Sequence, residues 1–388
     1  MITVTDAAAL LRRGELVIVP TETVYGIAAD ATNPEAVARL DEAKKRADGK
    51  HYSWLIAGLN EVADLVKITP EARALAGAFS PGPLTMVLNL KSGGTVGVRI
   101  PNHPLILEIL RELQFPLACP SANLSGQMPP TRCVDAIANF DSVIPALDGG
   151  DCAVGIESTV IDMTAAPPKI LRRGALSKRD IKGVVGFNPS GVTVLGITGG
   201  TGSGKTTALK ALEALGATVL DCDAVYHELL SDAEMLGEIG ARFDGVITEG
   251  KLDRKALGEI VFADAAALAD LNAITHKCVD REIYKVIRKL EATGGSTVIA
   301  LDAIALIESG MAKSCDHMTA ITAPKEIRIA RIMSRDGIDF EYASSRVAAQ
   351  KPDEFYVKNC DVVLINDGSE AEFFECCKTH FDKVINNF

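Results

Sequence analysis

The cysteines of this sequence show no pattern that would pair them. There are nine, an odd number at irregular spacing, and no C-x-x-C motif occurs. Such spacing argues against a disulfide framework and against a structural zinc site. It predicts reduced thiols and therefore a cytoplasmic protein.

The sequence also lacks long apolar runs and a signal peptide. Its apolar stretches are interrupted too soon to span a bilayer. The first residues lack a basic region followed by an apolar one. These absences predict that the protein has no membrane partner. The length of 388 residues is enough for two or three domains.

The negative charge of the chain lies mostly in its second half. The net charge is −11, and residues 1–190 carry 19 basic and 20 acidic side chains, whereas the remainder carries 21 and 31. The acidic second half argues against broad nucleic-acid binding there. The nearly neutral first half leaves local basic patches possible.

The strongest motif of the sequence lies at mid-chain. An apolar run over residues 192–197 meets a glycine-rich turn that fits G-x-x-x-x-G-K-[ST], and a helix-forming stretch follows. Glycines let backbone N–H groups approach a phosphate, and the helix dipole adds positive charge there. We therefore predict an ATP site that consists of Gly199, Gly200, Thr201, Gly202, Ser203, Gly204, Lys205, Thr206 and Thr207.

Two of these side chains have specific expected roles. Lys205 would reach the β- and γ-phosphates, and the hydroxyl of Thr206 would bind Mg²⁺. A chance glycine-rich turn is the alternative, but a strand, a loop and a helix in this order favour a phosphate site.

Carboxylates and arginines follow this loop along the chain. The second strand ends at Asp221 and Asp223. Asp223 is placed to accept a proton from an attacking hydroxyl or to hold a metal ion, and one of the two carboxylates could merely cap a helix. A third strand ends at Asp302. Later residues form an arginine-rich helical stretch that we interpret as a lid over the nucleotide, with a solvated helix face as the alternative; it contains Arg328, Arg331, Arg335, Arg346 and Gln350.

This order of elements resembles the dephospho-CoA kinase family over residues 192 to about 385. The resemblance implies a P-loop NTPase domain with a parallel sheet that transfers the γ-phosphoryl group of ATP to the 3′-hydroxyl of dephospho-CoA. It makes Asp223 the base, with Lys205, Arg335 and Arg346 stabilising charge and Mg²⁺ near Thr206. It also implies a dephospho-CoA site that includes Asp223, Arg254 and His276.

The second half departs from this family at two places beside the acceptor site. Residues 302–308 lack the proline of the family pattern, and His276 is followed by Lys277 instead of proline. A different P-loop kinase, acting on a nucleoside or a shikimate-like alcohol, is a weaker interpretation. The pair Asp221 and Asp223 and the turn at 366–368 argue against it.

Seven polar segments occur in order along the first half: Thr21–Gly26, Ala43–Arg46, Ser80–Thr85, Val96–Pro104, Ala118–Gly126, Glu157–Asp162 and Ile170–Gly174. Together they resemble the YrdC-like family of threonylcarbamoyl-AMP synthases over about residues 5–180. The resemblance implies a twisted open α/β sheet with a positively lined cleft. It also implies synthesis of threonylcarbamoyl-AMP from L-threonine, bicarbonate and ATP, with tRNA or tRNA-modification proteins as possible partners.

The same resemblance implies the residues of the synthase site. Two anionic substrates must meet there, so the site needs cations. The expected ATP- and threonine-binding residues are Thr23, Lys44, Arg46, Lys50, Thr85, Arg99, Ser121, Asn123, Ser158 and Arg172. Among them, Thr23 and Arg99 would position threonine, and Lys44, Arg46 and Arg172 would neutralise the triphosphate.

One segment of the first half departs from the family. Ala47 and His51 replace two prolines, and Tyr52 replaces a leucine. An alternative hypothesis therefore makes the first half a non-catalytic RNA-binding module fused to a working kinase. We expect a synthase-like domain at 1–183, a linker at 184–191 and a kinase domain at 192–388.

Overall fold

The structure is a computed structural model, and it describes residues 1–45, 52–124, 128–140, 143–186, 189, 191–248, 250–293 and 298–387. The contacts between residues divide the chain into two compact units, Met1–Gly191 and Val192–Phe388. None of the helices in the described part of the chain is long and apolar enough to cross a membrane.

The first unit contains one mixed sheet. In the described residues its eight strands run in the order β1-β2-β6-β3-β5-β4-β7-β8. The pairs β3–β5 and β4–β7 are parallel, and the other neighbours are antiparallel. The strands are β1 (Val17–Val19), β2 (Gly26–Asp30), β3 (Trp54–Leu55), β4 (Leu84–Asn89), β5 (Thr95–Arg99), β6 (Leu117–Ala118), β7 (Thr159–Asp162) and β8 (Lys169–Arg172).

Helices with defined start signals pack on this sheet. The side chain of Asn33 accepts hydrogen bonds from the backbone N–H groups of Glu35 and Ala36, and Pro34 occupies the first helical position. The buried apolar residues form three clusters around the sheet. The helices are α1 (Val4–Arg12), α2 (Pro34–Ala43), α3 (Pro70–Phe79), α4 (Pro104–Leu113), α5 (Cys133–Ala138) and α6 (Lys178–Val185).

Strand pairing in the first unit brings polar residues from distant segments together. The parallel pair β4–β7 sets Thr85 opposite Val160, and Ser158, two residues before Val160, lies within hydrogen-bond distance of Thr85. The antiparallel pair β7–β8 sets Arg172 opposite Val160. A Cβ added to Gly26 would lie 2.4 Å from Cys119 Sγ. Glycine at this position therefore lets the Cys119 segment approach the loop that precedes β2.

The second unit contains a parallel sheet, as the sequence predicts for a P-loop domain. Its five described strands run in the order β10-β13-β9-β14-β15. The central strand is buried at every position, as is typical of parallel sheets. The strands are β9 (Thr193–Thr198), β10 (Thr218–Asp221), β13 (Val298–Asp302), β14 (His317–Thr322) and β15 (Val362–Ile365), and β11 (Ile247–Thr248) pairs with β12 (Lys251–Leu252) in a hairpin.

Nine α-helices accompany these strands in the described part of the second unit. They are α7 (Lys205–Ala214), α8 (Cys222–Leu229), α9 (Ala233–Arg242), α10 (Arg254–Ala263), α11 (Ala265–Thr293), α12 (Lys325–Asp336), α13 (Phe340–Ala348), α14 (Asp353–Asn359) and α15 (Glu370–Asn386). The α/β class predicted for both halves of the chain is therefore confirmed.

A second polar site lies at the carboxyl ends of the parallel strands. Asp221 lies opposite Asp302 in the register of β10 and β13, and Asp302 lies opposite Ile197 of β9. The glycine-rich loop begins directly after β9. Ligands of open α/β sheets bind at this edge. The fold therefore gathers the loop and both carboxylates at one edge of the sheet.

Candidate functional sites

Arg99 forms the centre of the polar cluster in the first unit. Its Nη2 donates to Glu22 Oε1 at 2.8 Å and to Thr23 Oγ1 at 2.9 Å, and its Nε donates to Gly82 O at 3.3 Å. Glu22 Oε2 also accepts the backbone N–H of Asn102 at 3.0 Å. All three side chains are buried, and a buried charge is costly unless it is paired. The structure thus joins Thr23 to Arg99 and adds the carboxylate of Glu22, which is not among the predicted site residues.

A second cluster joins Thr85, Ser158 and Arg172. The hydroxyl oxygens of Thr85 and Ser158 are 2.8 Å apart. Arg172 Nη2 donates to Ser158 Oγ and to its carbonyl oxygen, both at 2.9 Å. Arg172 Nη1 donates to Glu157 Oε1 at 2.7 Å. The carboxylate and the hydroxyl therefore hold the guanidinium in a fixed orientation.

Lys44 connects the end of α2 to the loop at 121–123. Its Nζ donates to Ser121 O at 2.7 Å and also to Asn123 O. The ammonium group is buried, so these charge-assisted hydrogen bonds help to fix the loop. The structure thereby brings together three predicted residues of the ATP and threonine site. Burial raises the pKa of the nearby Cys119 thiol to about 12, even though Arg99 and Lys44 favour its thiolate.

Two predicted cations, Arg46 and Lys50, lie outside the described residues. Tyr52, which follows them, replaces the leucine of the family pattern and is buried. Its hydroxyl donates to Asp41 Oδ1 at 2.6 Å, on helix α2. The substituted residue therefore makes a polar contact that a leucine could not make.

Three glycines shape the phosphate loop of the second unit. Gly199, Gly202 and Gly204 have φ values of +141°, +75° and +101°, which favour glycine. A Cβ at Gly199 would lie 2.1 Å from Ile321 O, and one at Gly204 would lie 2.0 Å from an amide nitrogen. Helix α7 starts at Lys205, so the loop ends at a helix N-terminus, where anions bind favourably.

Side chains from two later segments hold the carbonyl groups of this loop. Arg328 Nε donates to Thr201 O at 3.0 Å, and Asn366 Nδ2 donates to Ser203 O at 2.9 Å. Arg331 Nη1 lies 3.4 Å from Gly202 O, and its Nη2 donates to Asn366 Oδ1 at 3.0 Å. These residues therefore hold the loop by its carbonyl groups.

The lid interpretation therefore needs correction for part of the arginine-rich stretch. Arg328 is buried, and both Arg328 and Arg331 contact carbonyl oxygens of the loop. Gln350 Oε1 accepts the backbone N–H of Thr201 at 2.9 Å and also a hydrogen bond from Arg328. Helical periodicity could not show which arginines face the loop, because that depends on tertiary packing.

The carboxylates at the sheet edge have different roles. Lys205 Nζ lies 3.0 Å from Asp302 Oδ1. Asp221 caps helix α8, because its Oδ1 accepts the backbone N–H groups of Asp223 and Ala224 at 2.9 Å. Burial raises the pKa of Asp223, helped by Asp221 and Asp302 and opposed by Lys205. The structure thus assigns the cap to Asp221 and leaves Asp223 as the candidate base.

Arg335 and Arg346 both bind one carboxylate, that of Asp336. Arg335 also reaches the loop, with Nη2 at 3.5 Å from Thr201 Oγ1. Arg335 thus lies beside the loop and Arg346 is joined to Arg335 through Asp336, and their lid role stays a prediction. Both come from the helix pair α12–α13.

The other predicted residues of the second unit lie at the phosphate loop or on helices α10 and α11. Thr206 is exposed on the first turn of α7, and Ser203 is buried within the loop. Arg254 is exposed at the start of α10, and burial lowers the pKa of His276 on α11. The described contacts do not link Arg254 or His276 to Asp223.

The residues at this edge suit Mg²⁺. Hydroxyl and carboxylate oxygens are the ligands this ion prefers, and it commonly uses one or two of them together with substrate phosphates. Thr206 and Asp302 flank Lys205 at the loop and offer oxygens of this kind. In the described part of the chain, no group of three or more His, Cys, Asp or Glu residues is placed to hold a metal ion.

The fold and the phosphate loop define a two-unit α/β chain that carries a P-loop in its second unit. Residues 9–174 match the Sua5/YciO/YrdC family model, whose description is telomere recombination, and residues 193–372 match the dephospho-CoA kinase model. The chain therefore belongs to the Sua5/YciO/YrdC family through its first unit and to the dephospho-CoA kinase family through its second. This confirms both resemblances predicted from the sequence.

Individual relatives support the two assignments. A Mycobacterium tuberculosis relative is 38% identical over 196 residues, which are 48% of this chain and 90% of that protein. The dephospho-CoA kinase of Carboxydothermus hydrogenoformans is 36% identical over 179 residues, which are 45% of this chain and 86% of that protein. The threonylcarbamoyl-AMP synthase of Bacillus subtilis is 40% identical over 195 residues, or 47% of this chain, but the match spans only 56% of that relative's length.

The support of the phosphate loop predicts an effect for Asn366. We expect Asn366→Ala to lower the unfolding free energy of the second unit by about 1–3 kcal/mol, because a buried carbonyl group and a guanidinium lose a partner. We also expect weaker ATP binding, measured by calorimetric titration alongside urea unfolding. Asn359→Ala is the control, since among the described residues that amide donates within its own helix, to Phe355 O at 2.7 Å. Unchanged ATP affinity in Asn366→Ala would show that the loop does not need this support.

Proposed function

We propose that the chain is a bifunctional enzyme with two ATP-dependent activities. Residues 1–183 would synthesise L-threonylcarbamoyl-AMP from L-threonine, bicarbonate and ATP. Residues 192–388 would phosphorylate the 3′-hydroxyl of dephospho-CoA, and 184–191 would link the two. The observation that carries this proposal is that each unit contains the described residues expected for one of the two reactions.

In the synthase reaction, a carbamate oxygen of N-carboxy-threonine attacks the α-phosphate of ATP, the new O–P bond forms and pyrophosphate leaves. Both substrates are anionic, so the site must offset their repulsion. Arg99 uses Nη2 and Nε in its contacts with the protein, and among the described residues Nη1 has no recorded hydrogen-bond partner. This group would bind the threonine carboxylate, with Thr23 beside it.

The triphosphate would lie against the second cluster of the first unit. Arg172 adds positive charge there, and the hydroxyl groups of Thr85 and Ser158 can donate to phosphate oxygens. Such a site acts mainly through proximity and electrostatic preorganisation. The protonated Cys119 thiol is consistent with a reaction that uses no protein nucleophile.

In the kinase reaction, Asp223 would take the proton of the 3′-hydroxyl of dephospho-CoA as that oxygen attacks the γ-phosphorus of ATP and ADP leaves. Lys205 would stabilise the developing charge together with Arg335 and Arg346. Mg²⁺, when bound near Thr206, would supply further charge neutralisation on the phosphates.

The cellular setting follows from the same proposal. In the structure as described, no disulfide bond joins any of the nine cysteines, which suits a reducing compartment such as the cytoplasm. The product of the synthase reaction would serve tRNA modification, so tRNA or tRNA-modification proteins would be its partners.

The synthase proposal predicts a strict substrate requirement. We expect the full chain to release pyrophosphate from ATP only when L-threonine and bicarbonate are both present, because the nucleophile forms from these two. Arg172→Ala should lower this rate by about tenfold or more, in the range for loss of an electrostatic group. A coupled pyrophosphate assay without dephospho-CoA measures both effects.

Arg12→Ala is the matched control for this assay. Arg12 also pairs with a glutamate, Glu112 at 2.9 Å, but at the surface of the unit. Its loss should leave pyrophosphate release unchanged. Release that ignores threonine, or none under any condition while the chain binds RNA, would favour the RNA-binding module instead.

The kinase proposal predicts a role for the charge of Asp223. Asp223→Asn should lower the turnover of dephospho-CoA by about a hundredfold or more, the range for loss of a general base. The base works when ionised and burial raises its pKa, so the wild-type rate should fall as the pH drops through that raised value. ADP formation across a pH series measures both effects.

Asp221→Asn separates this role from helix capping. Asparagine caps helices about as well as aspartate, so this variant should keep nearly normal turnover. If Asp221→Asn lost turnover while Asp223→Asn kept it, the base would have been assigned to the wrong residue.

A further inference from the structure

The two arginines beside the phosphate loop share one carboxylate. Arg335 binds Asp336 with two donors, Nε to Oδ1 at 2.6 Å and Nη2 to Oδ2 at 3.0 Å. Arg346 Nη1 donates to the same Oδ2 at 2.6 Å. Asp336 is the last residue of α12, and Arg346 lies on α13. The carboxylate therefore joins the two helices on the side that reaches Thr201.

This helix pair also packs through apolar side chains. Ile329 and Ile332 of α12 form a buried apolar cluster with Ala343 and Val347 of α13. The ion pairs themselves are more exposed, with 59% of the Arg335 side chain and 36% of the Arg346 side chain accessible. Exposed ion pairs contribute little to fold stability. Stability alone thus gives no reason for this arrangement.

The carboxylate does control where two long cations lie. Arginine side chains have many rotamers, and two neighbouring guanidinium groups repel each other. A carboxylate between them offsets the repulsion and restricts both side chains. The two arginines hold the pKa of Asp336 at about 2, so it stays ionised near neutral pH.

Both arginines retain donors for a ligand. Among the described residues, no hydrogen bond is recorded for Nη1 of Arg335 or for Nε and Nη2 of Arg346. Two parallel N–H groups are the geometry that phosphate oxygens accept best.

We propose that Asp336 is a positioning residue that holds Arg335 and Arg346 as a pair for the ATP phosphates. This role rests on the proposed kinase function, since it concerns the nucleotide site of that reaction. Asp336 does not contact the substrate in this scheme and acts only through the two arginines.

The test measures ATP affinity by calorimetry and turnover of dephospho-CoA in the full chain. Asp336→Asn keeps the size of the side chain and removes its charge. We expect ATP affinity and kcat each to fall by about tenfold, because the two arginines would no longer be held in position. Asp336→Glu keeps the carboxylate and should recover part of both. Asp270→Asn is the matched control, because that carboxylate also takes two donors from one arginine, Arg242, on the surface of the same unit.

A double-mutant series identifies the route of the effect. In a chain that already carries Arg335→Ala and Arg346→Ala, Asp336→Asn should change neither quantity further, because the groups it positions are gone. An additive loss in this background would overturn the proposal. So would tighter ATP binding by Asp336→Asn alone, since the carboxylate would then merely compete with phosphate.

Two further results have defined meanings. A melting temperature that falls in parallel with ATP affinity across the Asp336 variants would overturn the positioning role in favour of a structural one. If the wild-type chain binds ATP but does not phosphorylate dephospho-CoA, the kinase proposal fails, and the ATP affinity series still decides the role of Asp336.

Discussion

Cations in both units are held by oxygen atoms of the protein itself. Arg99 pairs with Glu22 at 2.8 Å, Arg172 with Glu157 at 2.7 Å, and Lys205 with Asp302 at 3.0 Å. A charge removed from water is costly unless a partner compensates it. Each cation therefore fixes the position of its partner, and the loops that carry these residues are fixed with them.

The two units share this pairing of cations with protein oxygen atoms, although their folds differ. Each collects the ends of neighbouring strands, and each places positive charge at the site proposed for an anionic substrate. Because the cations already have oriented partners, little reorganisation is needed when phosphate oxygens arrive, which is the condition for electrostatic preorganisation. The support of the phosphate loop by Arg328 and Asn366 serves the same end, since it binds the carbonyl groups of that loop.

The sequence predicted the α/β class and both families because the signals for these are local or ordered along the chain. The phosphate loop is the clearest case, since positive φ at Gly199 and Gly204 follows from the motif itself. Partners from distant segments could not be predicted: Glu22 lies 77 positions from Arg99 along the chain. Helical periodicity also does not show which face of a helix meets the loop, and the position of Arg328 depends on that face. The roles of all predicted site residues, including Arg46 and Lys50, stay predictions.

The central claim is that one chain carries two self-contained active sites. The most direct test measures both reactions in a full-length Lys205→Ala variant, with ADP formation from dephospho-CoA in one assay and threonine-dependent pyrophosphate release in the other. Lys205 belongs only to the second unit, so kinase turnover should fall by about a hundredfold or more while pyrophosphate release stays at the wild-type rate. Loss of both activities in a folded variant, or kinase turnover that does not change, would contradict the claim.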